Sequence, residues 1–275
     1  MTDPAPLRKA CGVLRVGLRQ AEDGQTSVVD LFQQGCLKAR LPRPQRAGEA
    51  DLVVLNIAGG LTGGDHLSIE VAVAAGARAT VTTPGCERAY RSAAGVARID
   101  QCLRVDDGGR LDWLPQEMIL YERSRTRRRL DVELQGCAEI SIVESVLLGR
   151  AAMGERLTHG CFSDFWKIRR DERLIYADAT RIDDSFGQTV ACPTALGGQA
   201  AMTSLVHVGS DLVVKRNALR AAFAACGGIR AGASVVGEVL VARIVAPGGR
   251  ELRRALVAAV ESLRHPRPIP RLWFC

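Results

Sequence analysis

A glycine-rich segment lies where a nucleotide-binding loop would be expected. It runs from Gly59 to Asp65 with the sequence Gly-Gly-Leu-Thr-Gly-Gly-Asp and follows an apolar run at residues 52–57. A phosphate-binding loop needs a lysine and then a serine or threonine after its last glycine, because the ammonium contacts the outer phosphates and the hydroxyl holds magnesium. Asp65 and His66 occupy those positions. A carboxylate there would repel phosphate, so we interpret the segment as a tight turn between strands.

Carboxylates are the side chains in this sequence best suited to chemistry. An ionised carboxylate beside apolar residues is costly unless it is paired or has a function. In an arginine-rich chain, such groups are compatible with weak, oxygen-rich binding of a divalent cation. Each also has a structural interpretation, as a turn cap or as the partner of an arginine on a neighbouring strand. The candidates are Asp65, Glu117, Glu144, Glu155 and Asp178.

The motifs of common hydrolases and zinc sites are absent from the sequence. It contains no Gly-x-Ser-x-Gly, and the nearest string, at residues 232–237, has the wrong spacing for a nucleophile. It contains no His-Glu-x-x-His motif, and its four histidines are far apart. The nine cysteines include no Cys-x-x-Cys pair, so neither a zinc site nor a redox motif is predicted.

Positive charge is concentrated at residues 123–129. The chain has a formal net charge of +7, and this segment holds five arginines. One interpretation is a docking surface for an acidic partner, since the guanidinium fork matches a carboxylate; the other is a solvated strand face. Binding of nucleic acid is not favoured, because aromatic residues make up only 4% and no helix-turn-helix, zinc-finger or RNP pattern occurs. The candidate docking residues are Arg125, Arg127, Arg128 and Arg129.

The residues before position 190 read as a succession of short strands. Between residues 66 and 74, apolar and polar residues alternate, which is typical of a half-buried strand. The segment Asp106-Asp107-Gly108-Gly109 predicts a hairpin turn. Because no crossover helices separate the strands, we predict stacked antiparallel sheets rather than a doubly wound fold. The main predicted strands span residues 13–19, 51–57, 66–74, 78–83, 98–105, 128–134 and 140–148.

Two helices are predicted near the C-terminus. One spans residues 251–264, where six apolar residues fall on one face and Pro266 ends the pattern. The other begins after Asp211, a candidate N-cap, and reaches Cys226. The predicted fold class is therefore mostly β with two C-terminal helices (α+β), in one large body over residues 1–275. Residues 12–190 form its β-rich part, and residues 191–275 form an α+β part that is not an independent domain.

Length and composition indicate an ordinary soluble protein. The chain has 275 residues and is 47% hydrophobic, which is enough for a substantial core. Its first nine residues carry proline and charge rather than an apolar targeting segment, and no run approaches the ~20 apolar residues of a membrane span. The odd number of cysteines favours a reducing compartment. We expect a cytoplasmic protein that contacts neither a membrane nor nucleic acid.

Six short motifs follow one another in a characteristic order. They are the glycine-rich turn, Thr82-Thr83-Pro84, Tyr90-Arg91-Ser92, Trp-Leu-Pro-Gln-Glu at 113–117, Leu148-Gly149-Arg150 and Gly154-Glu155-Arg156. In this order and spacing they resemble the urease accessory protein family UreD, called UreH in some systems. The resemblance covers residues 13–182, and the closing Pro270-Arg271-Leu272-Trp273 is also similar to the end of the family's sequences.

The resemblance implies a maturation factor without catalytic activity. Members of the family bind apo-urease and, with UreF and the GTPase UreG, support insertion of nickel. UreG carries the nickel and hydrolyses GTP, which fits the missing phosphate-binding lysine. The family is mostly β with two helices and has an internal, water-filled passage toward urease. We therefore expect no tightly bound cofactor, a transient nickel ion, and apo-urease, UreF and UreG as partners.

The same resemblance suggests where the nickel would pass. It places the five candidate carboxylates along or near the passage, with Cys86 and His66 as secondary candidates. The chain departs from the family at residues 57–58, where it has Ile-Ala in place of prolines, and at residues 85–88, which are more polar and include the Cys86 thiol. Cys86 is either a nickel ligand particular to this chain or a structural cysteine.

Two alternatives remain open at the level of sequence. The first is an enzyme that uses the glycine-rich turn and neighbouring carboxylates on a small substrate. The second is an arginine-rich interaction module with no role in metal handling. An enzyme would turn over its substrate alone, and a pure interaction module would not bind nickel.

Overall fold

A computed structural model describes residues 9–150, 153–184 and 186–274. This part of the chain contains seventeen strands, three α-helices and a C-terminal 3-10 helix. The strands are β1 (Cys11–Gln20), β2 (Thr26–Gly35), β3 (Leu37–Arg40), β4 (Ala50–Asn56), β5 (His66–Val73), β6 (Arg78–Thr82), β7 (Glu87–Ala89), β8 (Ala97–Val105), β9 (Arg110–Leu114), β10 (Met118–Leu120), β11 (Arg125–Leu134), β12 (Glu139–Leu148), β13 (Cys161–Arg170), β14 (Arg173–Ile182), β15 (Ala201–Val208), β16 (Arg230–Val236) and β17 (Val239–Ala246). The helices are α1 (Phe186–Ala191), α2 (Leu212–Ala224), α3 (Gly249–Arg264) and the 3-10 helix Arg271–Phe274.

The strands form two sheets that pack face to face. Sheet A has seven strands in the order β14-β13-β11-β8-β5-β1-β2. Sheet B has the order β16-β17-β15-β12-β9-β6-β4-β3, with β10 and β7 attached beside β12. The mostly-β class with stacked sheets and C-terminal helices is confirmed.

The prediction of antiparallel pairing was wrong for the centre of both sheets. In sheet A, β1, β5, β8, β11 and β13 pair in parallel, and in sheet B so do β4, β6, β9 and β12. Only the outer pairs, such as β1 with β2 and β12 with β15, are antiparallel. Parallel neighbours need a crossover, and here a strand of the opposite sheet provides it: β6 lies between β5 and β8 along the chain. The missing crossover helices therefore did not exclude parallel sheets.

The main core lies between the two sheets. Strands of sheet A turn alternate residues inward, as in β8, where Ile99, Leu103 and Val105 are buried. The central strands of sheet B are buried on both faces, and β12 is almost entirely buried. One face of sheet B packs against sheet A, and its other face carries the helices.

The two longer helices form a third layer on sheet B. The predicted apolar face of α3 is confirmed, since Leu252, Leu256, Val260 and the intervening alanines are buried together with residues of β15 and β17. Asp211 occupies the predicted N-cap position of α2, where its carbonyl oxygen accepts from Lys215 N (2.9 Å), but its side chain does not cap the helix. Asp211 has a left-handed backbone (φ 58°) and its side chain makes no capping hydrogen bond. The short helix α1 was not predicted.

Candidate functional site

A cavity of about 70 Å³ lies between the sheets. That space holds a few water molecules. Its walls are mostly apolar, but polar side chains lie at both ends. Glu144, Arg128, Gln101 and Trp113 mark the inner end, while Asn56, Glu87 and Thr83 mark the outer end, where side chains are half-buried.

Three polar side chains of sheet A join one buried hydrogen-bonded cluster with Glu144, and two of them were not among the residues singled out from the sequence. Gln101 in β8, Arg128 in β11 and Asp164 in β13 all occupy inward positions of their strands. The parallel register places Arg128 directly beside Asp164. A signal for this was present in the sequence, because a polar residue that interrupts an alternating apolar face predicts a buried polar contact.

Arg128 is a buried residue, so its assignment to a partner-binding surface was wrong. It points inward because Thr126 and Leu130, two residues before and after it, also do. Its guanidinium donates to Asp164 through Nε–Oδ1 (3.0 Å) and Nη2–Oδ2 (2.6 Å), and also donates to Glu144. Burial lowers the pKa of Arg128, but the two carboxylates outweigh that effect and raise it above its ordinary value.

Glu144 of sheet B lies at the inner end of the cavity. One carboxylate oxygen accepts from Trp113 Nε1 (2.9 Å) and Gln101 Nε2 (3.2 Å), and the other accepts from Arg128. Burial raises the pKa of Glu144, against the opposing effect of Arg128. This cluster contains two carboxylates and one guanidinium, so it carries excess negative charge whenever both carboxylates are ionised.

Gln101 has a carbonyl oxygen without a hydrogen-bond partner, although the residue is only 7% exposed. A buried polar atom in this state normally meets a water or an ion. Because Gln101 lines the cavity next to Glu144, an oxygen ligand is available beside the excess carboxylate.

Glu117 lies behind the cavity wall. Its neighbours in sequence, Gln116 and Met118, line the cavity, but Glu117 itself does not. It is buried and accepts a hydrogen bond from Arg253 of α3, whose guanidinium lies 5.0 Å from the centre of the Trp273 ring. Trp273 Nε1 in turn donates to Leu114 O (3.1 Å). The C-terminal segment therefore closes this side of the sandwich.

Cys86 is half-buried and is adjacent to Glu117. Its Sγ lies 3.6 Å from Glu117 Oε2. Burial and the neighbouring carboxylate raise the pKa of the Cys86 thiol to about 11. The thiol is therefore protonated at neutral pH and donates to Glu117, and it must lose its proton before it can bind a metal.

Asp65 has the structural role that the glycine-rich turn suggested. Its two carboxylate oxygens accept from Ala10 N (2.8 Å) and Thr62 N (2.7 Å). The cavity wall does not include it. Asp65 therefore ties the turn to the start of β1.

The other predicted metal candidates lie apart from the cavity. His66 is exposed on the outer face of sheet A and contacts Asp100 (Nε2–Oδ2, 2.8 Å). Glu155 pairs with Arg150 in the loop after β12. Asp178 in β14 pairs with Arg243 of β17. Of the five predicted carboxylates, Glu144 lines the cavity, Glu117 is buried behind its wall, and the other three lie apart from it.

The remaining arginines of the predicted docking segment lie on the outer face of sheet A. Arg127 and Arg129 are exposed, and Arg125 is half-buried. Arg125 pairs with Asp184 (3.0 Å) and Arg129 with Asp131 (2.5 Å). Their role in binding a partner stays a prediction.

Neither a ready-made metal site nor a membrane-spanning helix occurs in the described part of the chain. Over residues 9–150, 153–184 and 186–274, no three side chains of His, Cys, Asp or Glu converge in a way that would hold a metal ion. Within the same ranges, no helix is both long and apolar enough to cross a membrane.

Comparison with known proteins gives a consistent result. The family described as "UreD urease accessory protein" matches residues 10–274. A relative named urease accessory protein UreD from Chelativorans sp. (strain BNC1) is 41% identical over 270 residues, covering 98% of this chain and 96% of that protein. Relatives of the same name from Brucella suis and Agrobacterium fabrum are 38% and 37% identical, each over 98% of this chain and over 95% and 93% of their own lengths.

The order of the six motifs, the mostly-β architecture and these full-length similarities agree with one another, and the chain belongs to the UreD family of urease accessory proteins.

Proposed function

We propose that this chain is a cytoplasmic, non-catalytic maturation factor that binds apo-urease and acts with UreF and the GTPase UreG in nickel insertion. We further propose that the cavity between the sheets forms part of the path of the ion. The observation that carries this proposal is the inner end of the cavity. There, Glu144 and Asp164 share one guanidinium, and Gln101 Oε1 is without a partner.

The composition of this end suits a cation that must move on. Nickel would meet oxygen ligands and water, which exchange faster than a closed thiolate site. Among the described residues, no three side chains of His, Cys, Asp or Glu gather into a set that would hold the ion in place. A resident ion would need a tighter set of ligands.

The alternative of a small-substrate enzyme has less support. The glycine-rich turn is occupied by its own contacts, with both Asp65 oxygens accepting from backbone amides. The most polar part of the cavity lies between the sheets, away from that turn. An arginine-rich interaction module without a metal role would not need the buried acidic cluster.

The test is urease activation in cells that co-express the urease subunits and the other accessory proteins with added nickel. Without this chain, we expect urease to lack both activity and bound nickel. Glu144→Gln should lower activation by about tenfold or more, because it removes the excess negative charge and leaves the Arg128–Asp164 pair balanced. Glu117→Gln should also lower activation.

Glu133→Gln is the matched control, since Glu133 is exposed at the end of β11. Soluble yield and co-purification with partners would show whether each variant folds. Full activation in the absence of the chain would contradict the maturation role. Full activation with the folded Glu144→Gln variant would contradict the passage while leaving the maturation role intact.

A further inference from the structure

Four loops meet at one end of the sandwich and are joined by backbone hydrogen bonds. The loop after β4 contacts β7 through Leu61 N to Arg88 O (2.7 Å). Ser92 N in the loop after β7 donates to Arg123 O in the loop after β10 (3.0 Å). The loop after β10 also contacts the loop before β13, where Arg123 N donates to His159 O (2.9 Å). These bonds hold the loops in a fixed arrangement before any partner binds.

The glycine-rich turn allows this close approach. A Cβ on Gly63 would lie 1.9 Å from Ser92 Oγ and 2.3 Å from Ala94 O. A Cβ on Gly60 would lie 2.4 Å from the Tyr90 ring. Tyr90 therefore packs directly over the turn, and its hydroxyl donates to Gly59 O (3.0 Å).

Large apolar side chains are exposed on the surface that these loops form. Ile57 is 62%, Tyr90 37% and Met153 75% exposed. Tyr90 is also fixed edge-on against Tyr121, at 5.0 Å between ring centres, and Arg150 stacks on Tyr121 at 4.4 Å. Tyrosine, methionine and arginine are the residues enriched in protein–protein interfaces, and a rigid surface loses little entropy on binding.

The same surface carries arginines that lack a carboxylate partner. Arg88, Arg91 and Arg123 are exposed, and among the described residues none of them forms an ion pair. Arg150 nearby differs, since Glu155 holds it through two hydrogen bonds of 2.8 and 3.1 Å. Arg88 is hydrogen-bonded to Tyr90, but within the part of the chain that the structure describes none of the three guanidinium groups has a carboxylate partner, so each is suited to a carboxylate of another molecule. We call the six residues Ile57, Arg88, Tyr90, Arg91, Arg123 and Met153 the loop face.

The loop face adjoins the outer end of the cavity. Asn56 and Glu87 mark that end, and their side chains hydrogen-bond to each other (Nδ2–Oε2, 3.2 Å). Ile57 and Arg88 follow them directly in sequence. A protein seated on the loop face would therefore border the cavity opening.

We propose that the loop face is the docking surface for an acidic protein surface of a urease maturation partner, one that presents carboxylates to the three arginines and an apolar side chain to Ile57 and Met153. The inference rests on the proposed function and adds to it the place of contact. Neutralisation of the arginines supplies specificity and fast association, and the apolar contacts supply slow dissociation.

The test uses a triple charge reversal, Arg88→Glu with Arg91→Glu and Arg123→Glu, in the full chain. Binding to purified apo-urease and to purified UreF is measured separately at two salt concentrations. We expect the dissociation constant for one of these proteins to rise by at least about tenfold and its salt dependence to weaken. A second variant, Ile57→Asp with Met153→Asp, should weaken the same complex.

The matched control is Arg19→Glu with Arg46→Glu and Arg78→Glu. These arginines are also exposed, but they lie at the opposite end of the sandwich, near the turn Ala21–Gln25 and the start of β6. The control should bind as the wild type does. All variants change exposed residues and should elute as the wild type does in gel filtration.

Several results would overturn the inference. The inference would be wrong if the loop-face variant bound both apo-urease and UreF with wild-type affinity. It would also be wrong if the loop-face and control variants lost affinity equally. A loop-face variant that lost affinity for a duplex oligonucleotide, but kept its affinity for both proteins, would also overturn the inference. A wild-type chain that binds neither protein would contradict the proposed function as well, which separates the two failures.

Discussion

Arg127 and Arg128 are adjacent in the chain but differ in environment, because a strand turns successive side chains to opposite faces. Arg127 is exposed on sheet A, whereas Arg128 is 3% exposed between two carboxylates. Removal of one partner from such a buried cluster is far more costly than loss of an exposed charge. At the scale of the residue, position within the strand determines what a charge can do.

Thiol chemistry provides a direct test of the environment of Cys86. Cys86 and Cys192 are both half-buried, but burial and Glu117 raise the pKa of Cys86 to about 11, whereas a hydrogen bond from Thr194 lowers the pKa of Cys192. At pH 7, Cys86 should hold about a hundredfold less thiolate than an ordinary cysteine. We expect Cys192 to be alkylated by iodoacetamide much faster than Cys86.

Mass spectrometry of peptides after timed alkylation at pH 7 and pH 9 measures both rates in one sample. Alkylation of Cys86 at the same rate as Cys192 would show that burial and Glu117 do not raise the pKa of the Cys86 thiol. Cys86→Ser identifies the peptide and serves as the control.

At the scale of the element, the glycine-rich turn depends on its neighbours rather than on phosphate. Its glycines bring β4 and β5 close to the Tyr90-Arg91-Ser92 segment, with Asp65 anchoring the turn to β1. The sequence predicts a turn with an aspartate that hydrogen-bonds the turn backbone, and the structure confirms this. The sequence could not predict the contact with Ser92, because that contact joins residues about 30 positions apart.

Substitution of single glycines distinguishes close approach from mere flexibility. Gly63→Ala should lower the free energy of unfolding by about 1–3 kcal/mol, since its Cβ would overlap Ser92 Oγ and the backbone oxygen of Ala94. Gly85→Ala should change it by less than about 0.5 kcal/mol, because no atom lies within 4 Å of the added Cβ and Gly85 has no positive φ.

Urea unfolding of the two purified variants beside the wild type gives both values. Equal stability of the two variants would mean that the turn can relax away from Ser92. The pair is matched because both glycines lie in loops near the same end of the sandwich.

At the scale of the whole molecule, sheet B joins the β-rich part to the helical layer through a buried polar network. His207 of β15 lies between Ser141 of β12 (Nδ1–Oγ, 3.0 Å) and Lys215 of α2 (Nε2–Nζ, 2.9 Å). Burial, and then Lys215, lower the pKa of His207 from 6.5 to about 4. The neutral ring is thus the form that the fold requires.

This network predicts a loss of stability in acid. The unfolded chain binds a proton at His207 below pH 6.5, whereas the folded chain does not until about pH 4. The stability contributed by neutral His207 is therefore fully present above pH 6.5. As the pH falls from 6.5 to about 4, the free energy of unfolding should fall by about 3 kcal/mol. His207→Gln should flatten this part of the curve of unfolding free energy against pH.

His265→Gln is the control, since His265 is exposed. It should leave the slope unchanged. A wild-type curve that matches that of His207→Gln between pH 4 and 6.5 would show that His207 does not titrate in this way.

The class of the fold, the two longer helices and the family could all be predicted from the amino-acid sequence. These features depend on local periodicity, as in α3, and on the order of short motifs along the chain. Both can be recognised without knowing which residues are in contact. The sequence also contained Glu144 as a candidate, because a carboxylate in an apolar run needs a partner.

The pairing of the strands and the contacts between buried polar groups could not be predicted from the sequence, because they arise from the three-dimensional fold. Parallel pairing arises because the chain passes between two sheets, and periodicity within one strand holds no information about its neighbours. The cluster of Arg128, Asp164, Gln101 and Glu144 draws its residues from four strands and both sheets. Long-range register set these contacts, and with them the charge and the open space of the cavity.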